Sequence, residues 1–178
     1  MTAKVTEVVA RKDYPDFGIA KGEKHFTWSI FNGRSSRTYR SKAPPRRSQL
    51  TGSEYLSALY DIEDDLAKIT RADEIEDICD RIETLRDETQ EKLDNMPEGL
   101  QQGPTGEQLQ ARIDGLESAH QELSDIKDEF EALDVEYNAD GALVNKDAEA
   151  VADEIGDNAD EVDDIIDRAK QVSIDAEG

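Results

Sequence analysis

The amino-acid sequence predicts a mainly α-helical protein, an antiparallel coiled-coil helical hairpin or bundle with a small N-terminal β-hairpin module. Three observations support this fold class: an alternating aromatic stretch that ends in Asn32-Gly33, apolar residues at helical spacing over most of residues 53–172, and a low apolar content. Only 36% of the 178 residues are hydrophobic and another 36% are charged, against a usual ~45–50% and ~25%. We therefore expect narrow apolar seams between helices rather than a thick core.

Charge divides the chain into two parts. Residues 1–50 contain 11 Lys and Arg against 4 Asp and Glu, whereas residues 51–178 contain 10 against 39, so the net charges are +7 and −29. We accordingly predict two domains, a basic β-hairpin module over residues 1–50 and an acidic helical region over residues 51–178. Such asymmetry bears on partners more than on fold, because the acidic part attracts basic proteins and repels nucleic acid.

The basic module is predicted to contain a β-hairpin over residues 25–40. Residues 25–31 alternate between apolar and polar side chains, and Asn32-Gly33 follows them. Asn-Gly is a strong hairpin signal because both of its positions accept positive φ. The return strand would run over residues 34–40, and Pro44-Pro45 would end regular structure.

Capping signals and apolar spacing predict the helices of the acidic region. A capping box at residues 51–54 opens the first helix, and a second cap at residues 70–73 predicts a break or kink. Residues 97–104 read as a loop of roughly eight residues, which suits antiparallel neighbours. Residues 138–141 are predicted to form a turn. The helix predicted after it carries an apolar face that ends at Val172.

The helix after residue 104 carries the clearest apolar stripe in the chain. Its members are Leu109, Ile113, Leu116, His120, Leu123 and Phe130. Their intervals fit the a and d positions of a heptad repeat, which predicts coiled-coil packing and allows a homo-oligomer. We interpret His120 as a core or register-setting polar residue rather than a ligand or pH sensor.

Neither catalytic residues nor a cofactor is indicated, and we expect a non-enzymatic protein. The sequence lacks P-loop, G-x-S-x-G, H-E-x-x-H and dinucleotide-binding motifs. Residues 136–147 resemble a calcium-binding EF-hand loop, with Gly141 at the turn position, but Glu136 replaces the first Asp and Asp147 the last Glu. A helix–turn–helix connection is favoured there, so no metal site is expected. Cys79, the single cysteine, is interpreted as a small buried group.

The chain is expected to be soluble and cytoplasmic, with no membrane partner. Residues 1–5 lack the apolar run of a signal peptide. No segment approaches the 18 or so consecutive apolar residues of a membrane-spanning helix.

Two sets of side chains are candidates for binding. Carboxylates predicted on the outer faces of the helices would bind a basic protein: Asp64, Glu76, Asp80, Glu83, Asp87, Glu117 and Asp128. Basic and aromatic residues on and after the hairpin would bind nucleic acid: Arg34, Arg37, Arg40, Arg46, Arg47 and Trp28. Alternatively, the basic set docks onto the chain's own acidic helices, and the carboxylates only solvate a coiled coil.

Several elements occur together in the first part of the chain: Lys21-Gly22, the aromatic strand Phe26–Phe31, Gly33, the basic return strand and the segment 44–51. This combination resembles the start of a family of small bacteriophage proteins of unassigned role. That family opens with a zinc-ribbon or treble-clef-like module and continues into acidic, coiled-coil-like helices. Its cysteine pairs would fall near residues 16–19 and 40–44, where this chain has none. The resemblance therefore implies a phage origin and a metal-free module.

The leading hypothesis is a phage-type protein whose acidic helices bind, and thereby inhibit, a basic nucleic-acid-handling protein of the host or phage. Rows of carboxylates would imitate the phosphates of duplex DNA, which lie at one charge per ~1.7 Å of axis. The first alternative is nucleic-acid binding through the basic hairpin. The second is a structural adaptor or virion component.

Overall fold

The computed structural model describes residues 3–31, 34–133, 135–145 and 152–174. These residues are mainly helical, with a small antiparallel sheet near the N-terminus, as the sequence predicts. The chain divides into two compact units, Met1–Asp61 and Ile62–Gly178. Over the same described ranges, no helix is both long and apolar enough to cross a membrane.

A three-stranded antiparallel sheet forms the first unit together with the start of α1. Its strands β1 (Thr6–Val9), β2 (Lys24–Phe31) and β3 (Ser36–Ser41) lie in the order β1-β2-β3. The β2–β3 pair confirms the predicted hairpin, although its expected turn at Asn32-Gly33 lies outside the described residues. Strand β1 was not anticipated from the sequence.

Trp28 is the central side chain of this sheet. It is buried, and its ring stacks on that of Tyr39 in β3 with centroids 5.8 Å apart. Its indole Nε1–H donates to the carbonyl oxygen of Gln49 at 2.9 Å. Gln49 belongs to a 3-10 turn, Arg47–Leu50. The segment after the two prolines is thereby tied to the sheet.

Helix α1 (Glu54–Leu66) begins where the capping signal predicts, but Ser53 is its cap. The Ser53 hydroxyl accepts the backbone N–H of Leu56, whereas the Thr51 hydroxyl accepts that of Ser53. The predicted break at residues 70–73 is confirmed, because the next helix begins at Glu74.

Helices α2 (Glu74–Asp94) and α4 (Pro104–Ala132) are the longest elements and pack against each other. They run antiparallel, since Lys127 near the end of α4 contacts Glu76 near the start of α2, with Nζ and Oε1 3.0 Å apart. The predicted loop between them contains a one-turn helix, α3 (Glu98–Gln101). Buried side chains include Ile75, Ile78, Ile82 and Leu85 on α2 and Ile113, Leu116, Ala119, Leu123, Ile126 and Phe130 on α4.

The assignment of His120 to the apolar seam was wrong. Ala119 takes the buried position, and His120 is only partly buried. Ala119 lies three residues after Leu116 and four before Leu123. This spacing keeps the three residues on one helical face, just as the predicted steps of four and then three through His120 would. A small residue at this point lets the facing helix approach closely, whereas a histidine keeps its polar edge toward water.

Residues 135–145 form a β-hairpin rather than the predicted connection between two helices. Strand β4 (Val135–Tyr137) pairs with β5 (Leu143–Asn145). The predicted turn is present: the Asn138 side-chain oxygen accepts the N–H groups of Asp140 and Ala142, both at 2.9 Å, and Gly141 has φ +78°. The flanks are extended because β-branched and aromatic residues favour strands.

The last helix, α5 (Ala152–Gln171), packs on α4. Its buried side chains are Val162, Ile165, Ile166 and Ala169, and Val172 and Ile174 continue the buried set beyond its end. The predicted apolar position Val151 lies outside the described residues.

Candidate functional site

Most basic side chains of the second unit are held by carboxylates of the same unit. The ion pairs are Arg71 with Asp73, Arg81 with Asp65, Arg86 with Glu83 and Asp87, Lys127 with Glu76 and Glu131, Arg168 with Glu129, and Lys170 with Asp167. Such surface pairs each add little stability. The pairs matter here for the surface charge, because these cations offset the charge of particular carboxylates and leave other carboxylates without a paired cation.

The seven predicted acidic residues fall into three groups. Glu76, Glu83 and Asp87 are exposed but already form the ion pairs described above. Asp64 is partly buried in α1. Asp80, Glu117 and Asp128 are exposed, and within the described part of the chain no basic side chain forms an ion pair with them. Of the seven, only this last group is both exposed and in no ion pair with a described basic residue.

Two further carboxylates join Glu117 and Asp128 on one face of α4. Asp114 and Asp125 are exposed, and at 100° per residue all four lie within an arc of about 80° and span about 21 Å of helix axis. We call Asp114, Glu117, Asp125 and Asp128 the α4 acidic stripe. Asp114 and Asp125 were not predicted as binding residues, although each lies three residues before a predicted one, Glu117 or Asp128.

The α4 acidic stripe retains its negative charge. Its hydrogen-bond donors are neutral: Gln110 Nε2 donates to Asp114 at 2.8 Å, and Gln121 Nε2 donates to Asp125 at 2.7 Å. Four carboxylates over about 21 Å are sparser than one DNA strand, which has a charge every ~3.4 Å. Within each pair, Asp114 with Glu117 and Asp125 with Asp128, the residues lie about 4.5 Å apart along the axis, inside the screening length of about 8–10 Å, so the potentials of each pair add.

Three of the predicted arginines stack on aromatic rings of the first unit. The guanidinium carbon of Arg37 lies 5.4 Å from the ring centroid of Tyr39. That of Arg40 lies 4.4 Å from the centroid of Tyr14, and that of Arg47 lies 3.6 Å from the centroid of Tyr60. Arg34 and Arg46 are exposed. The planar cations therefore occupy ring faces on which bases would otherwise stack.

Trp28 lies in the interior of the same unit. It is 5% exposed, and its only N–H donor is used by Gln49. A base stacks on an aromatic ring only where a face of that ring is open to solvent. Nucleic-acid contact at this sheet would thus rest on arginine–phosphate interactions rather than on Trp28.

The region compared with an EF-hand loop has a different local structure. Asn138 uses its side-chain oxygen within the β4–β5 turn, and Glu136 and Asp140 are exposed. Asp147 lies outside the described residues. Among the residues whose positions are described, no group of three or more His, Cys, Asp or Glu could hold a metal ion.

No family model, curated protein or solved structure matches this chain. The bacteriophage family and its zinc-ribbon-like module thus remain a prediction from residues 10–51. A fold class by itself does not determine function, so the function must follow from the chemistry of the surface.

Proposed function

We propose that this chain is a non-enzymatic interaction protein whose acidic helices bind a basic, nucleic-acid-handling protein. The α4 acidic stripe is the observation that carries the proposal, because its four carboxylates are exposed and ion-paired to no basic side chain of the described chain. Lysines and arginines that normally contact DNA phosphates would contact these carboxylates instead. A partner bound in this way would be blocked from DNA. The resemblance of residues 10–51 to a phage family adds that this partner is a host or phage protein and that binding takes place in the host cytoplasm.

The packing of α2 against α4 supports a rigid presentation of the stripe. Ile82 and Leu116 are completely buried in these helices, and buried residues on α4 recur at three- and four-residue steps. We propose that this seam is an antiparallel coiled coil, since such steps suit knobs-into-holes packing. A rigid helix lowers the entropy cost of aligning several carboxylates with several cations at once.

Affinity capture from host lysate, with the full chain as bait, tests the proposal. We expect a basic protein to be retained at low salt and released as salt rises, because exposed charges are screened beyond about 8–10 Å at physiological ionic strength. Added duplex DNA should displace it. Replacing the four stripe carboxylates by Asn and Gln should abolish retention.

A matched control neutralises four exposed carboxylates of α5 instead: Asp160, Glu161, Asp163 and Asp164. This variant has the same net charge as the stripe variant and should retain the partner. Equal loss in both variants would mean that overall charge, not the stripe, attracts the protein. A complex indifferent to salt and to both variants would be apolar, and the adaptor or virion-component hypothesis would replace this one.

A second candidate function is nucleic-acid binding by the first unit. It is favoured by Arg37 and Arg46, which are exposed and form no ion pair with any carboxylate of the described residues. Phosphate contacts by such side chains supply sequence-independent affinity. The full chain should then bind short duplex DNA at low salt. In the double variant Arg37→Gln, Arg46→Gln, the slope of the logarithm of the binding constant against the logarithm of the salt concentration should fall in magnitude by about two, one per lost contact. An unchanged slope would exclude these two residues.

A further inference from the structure

A second feature of the first unit is a cavity of about 570 Å³ beside strands β1 and β2. Its polar lining consists of Arg11, Tyr14, His25, Thr27 and Arg40, and its apolar lining is residues 8–10. We call it the His25 cavity. Ligand sites for small molecules typically measure ~300–1,000 Å³ and combine apolar walls with a few polar groups. The size and lining of the His25 cavity fit that description.

His25 is the unusual member of this lining. It is 2% exposed, and its Nδ1 atom makes no hydrogen bond within the described part of the chain. Its nearest aromatic neighbour is Tyr14, whose ring centroid lies 5.7 Å away. Buried side-chain nitrogens and oxygens nearly always have a hydrogen-bond partner, because a buried atom without one loses its hydrogen bonds to water and gains none in the protein. Because Nδ1 itself is not accessible to solvent, a ligand would satisfy it only after a small shift of the side chains that cover it.

The charge of the lining is positive. Arg11 and Arg40 both line the cavity, and no carboxylate does. The nearby acidic side chains of this unit are engaged elsewhere: Glu7 with Lys24, Asp13 with the backbone N–H of Lys21, and Glu23 with Lys42 and the N–H of Ala20. Two arginines thus line one cavity without a counter-charge from these residues.

Arg40 is also held in place. Its guanidinium carbon lies 4.4 Å from the ring centroid of Tyr14 and 6.0 Å from that of Phe17. Stacking on an aromatic ring fixes the plane of the guanidinium group and leaves its N–H donors at the edge available. A fixed planar fork of donors suits the oxygens of a phosphate group.

We propose that the His25 cavity binds the phosphate group of a small phosphorylated molecule. Arg11 and Arg40 supply the charge and the donors for the phosphate oxygens. The imidazole of His25 supplies a donor or an acceptor, since a neutral ring has one of each. The apolar wall of residues 8–10 contacts the remainder of the molecule. This site is separate from the acidic surface of α4, and its proposal does not depend on that surface.

A small ligand is favoured over a nucleic-acid chain because the charge is confined. A polyanion needs a track of cations along its backbone, whereas the cationic lining here is two arginines in one cavity. A free phosphate ion and a mononucleotide share the required chemistry. A titration with each of them distinguishes the two sources.

The test is an NMR titration of the full ¹⁵N-labelled chain with inorganic phosphate, with adenosine 5′-monophosphate and with adenosine, at constant ionic strength set by sodium chloride. We expect saturable shifts for Arg11, His25 and Arg40 with one or both phosphates and none with adenosine. Arg11→Gln should weaken binding by about tenfold or more, because it removes charge-assisted hydrogen bonds. Lys4→Gln, an equal change of charge at an exposed position outside the cavity, should leave affinity unchanged.

His25→Phe provides a second variant that keeps the result interpretable. It replaces the unpaired nitrogen with an apolar edge of similar shape, so the melting temperature should be kept or raised while phosphate binding is weakened. Equal weakening by Arg11→Gln and Lys4→Gln would show general attraction to a basic surface and overturn the proposal. The absence of shifts at tens of millimolar of either phosphate would also overturn it.

Discussion

The hydroxyl oxygen of Tyr137 accepts a hydrogen bond from the backbone N–H of Ala72 at 3.3 Å, although 65 residues separate them in the sequence. Ala72 lies just before α2, and the ring of Tyr137 also stacks on that of Phe130 near the end of α4. Arg71 contributes a cation–π contact, 4.8 Å from the Tyr137 ring centroid. One side chain of the β4–β5 hairpin thus fastens the ends of both long helices.

Tyr137→Phe should lower the free energy of unfolding by about 1 kcal/mol, because the buried N–H of Ala72 loses its acceptor while the ring contacts stay. Urea unfolding followed by circular dichroism measures the change. Tyr60→Phe is the control, since its hydroxyl makes no hydrogen bond among the described residues. If the two variants unfold at the same urea concentration, the Tyr137 hydroxyl contributes nothing.

Stability should also fall at alkaline pH in a way that depends on Tyr137. Burial raises the pKa of this phenol above its usual value of 10.0, and this outweighs the lowering effect of the hydrogen bond from Ala72. The folded state therefore keeps a proton that the unfolded state releases. The stability that the protonated Tyr137 phenol contributes is fully present below about pH 10 and is lost as the pH rises through the pKa of the folded state. Between pH 10 and 11 the urea midpoint should decline less steeply for Tyr137→Phe than for the wild type; parallel declines would contradict this.

Gly106 should not tolerate a methyl group. A Cβ atom there would collide with the carbonyl oxygen of Gln101 in α3, which must then move. Alanine is favoured over glycine inside a helix by ~1 kcal/mol, yet we expect Gly106→Ala to lower stability by about 1–3 kcal/mol. Gly99→Ala, where a Cβ meets nothing within 4 Å, should be neutral or stabilising. Thermal melts of the two variants compare them directly, and a higher melting temperature for Gly106→Ala would refute the clash.

Leu116→Ala should be among the most destabilising single changes. Leu116 is 0% exposed, and truncating such a residue removes buried surface and leaves a cavity, at a cost of ~2–5 kcal/mol. Leu100→Ala is the matched control, because Leu100 is 59% exposed and its truncation should cost less than about 0.5 kcal/mol. Denaturant unfolding gives both values. Similar losses would mean that α4 does not pack as described.

Cys79 should resist thiol reagents until the protein unfolds. The thiol is buried in α2, and desolvation raises its pKa, which Lys127 only partly offsets. Because the thiolate is the reactive form, both effects slow labelling. At pH 8 the reaction with a chromogenic disulfide should be far slower for native protein than for protein in urea. Equal rates would place Cys79 at the surface.

Sequence alone predicted the features whose signals are local. The β2–β3 hairpin, the break before Glu74 and the turn at Asn138 each follow from a few consecutive residues. Strand β1 was missed because its partner β2 begins 15 residues after β1 ends, so its pairing is non-local. Strands β4 and β5 have three residues each, too few for an alternating pattern to be recognised.

The functional surface was predicted less completely, for an equally physical reason. A carboxylate on a helix face looks the same in the sequence whether or not a cation approaches it. Glu76 is neutralised by Lys127, 51 residues later, and nothing local to Glu76 indicates this pairing. The unpaired Nδ1 of His25 depends in the same way on its tertiary neighbours.

Among the strands that the structure describes, β3 pairs only with β2, and its other side is an edge of the sheet. An edge strand offers free backbone N–H and C=O groups to any second strand, which is a common route to aggregation. Two of its six residues, Arg37 and Arg40, are cationic, so an antiparallel approach of two β3 strands would bring like charges together. These arginines thus help to keep separate copies of the chain from polymerising edge to edge, and apolar β-branched residues in their place would remove that protection.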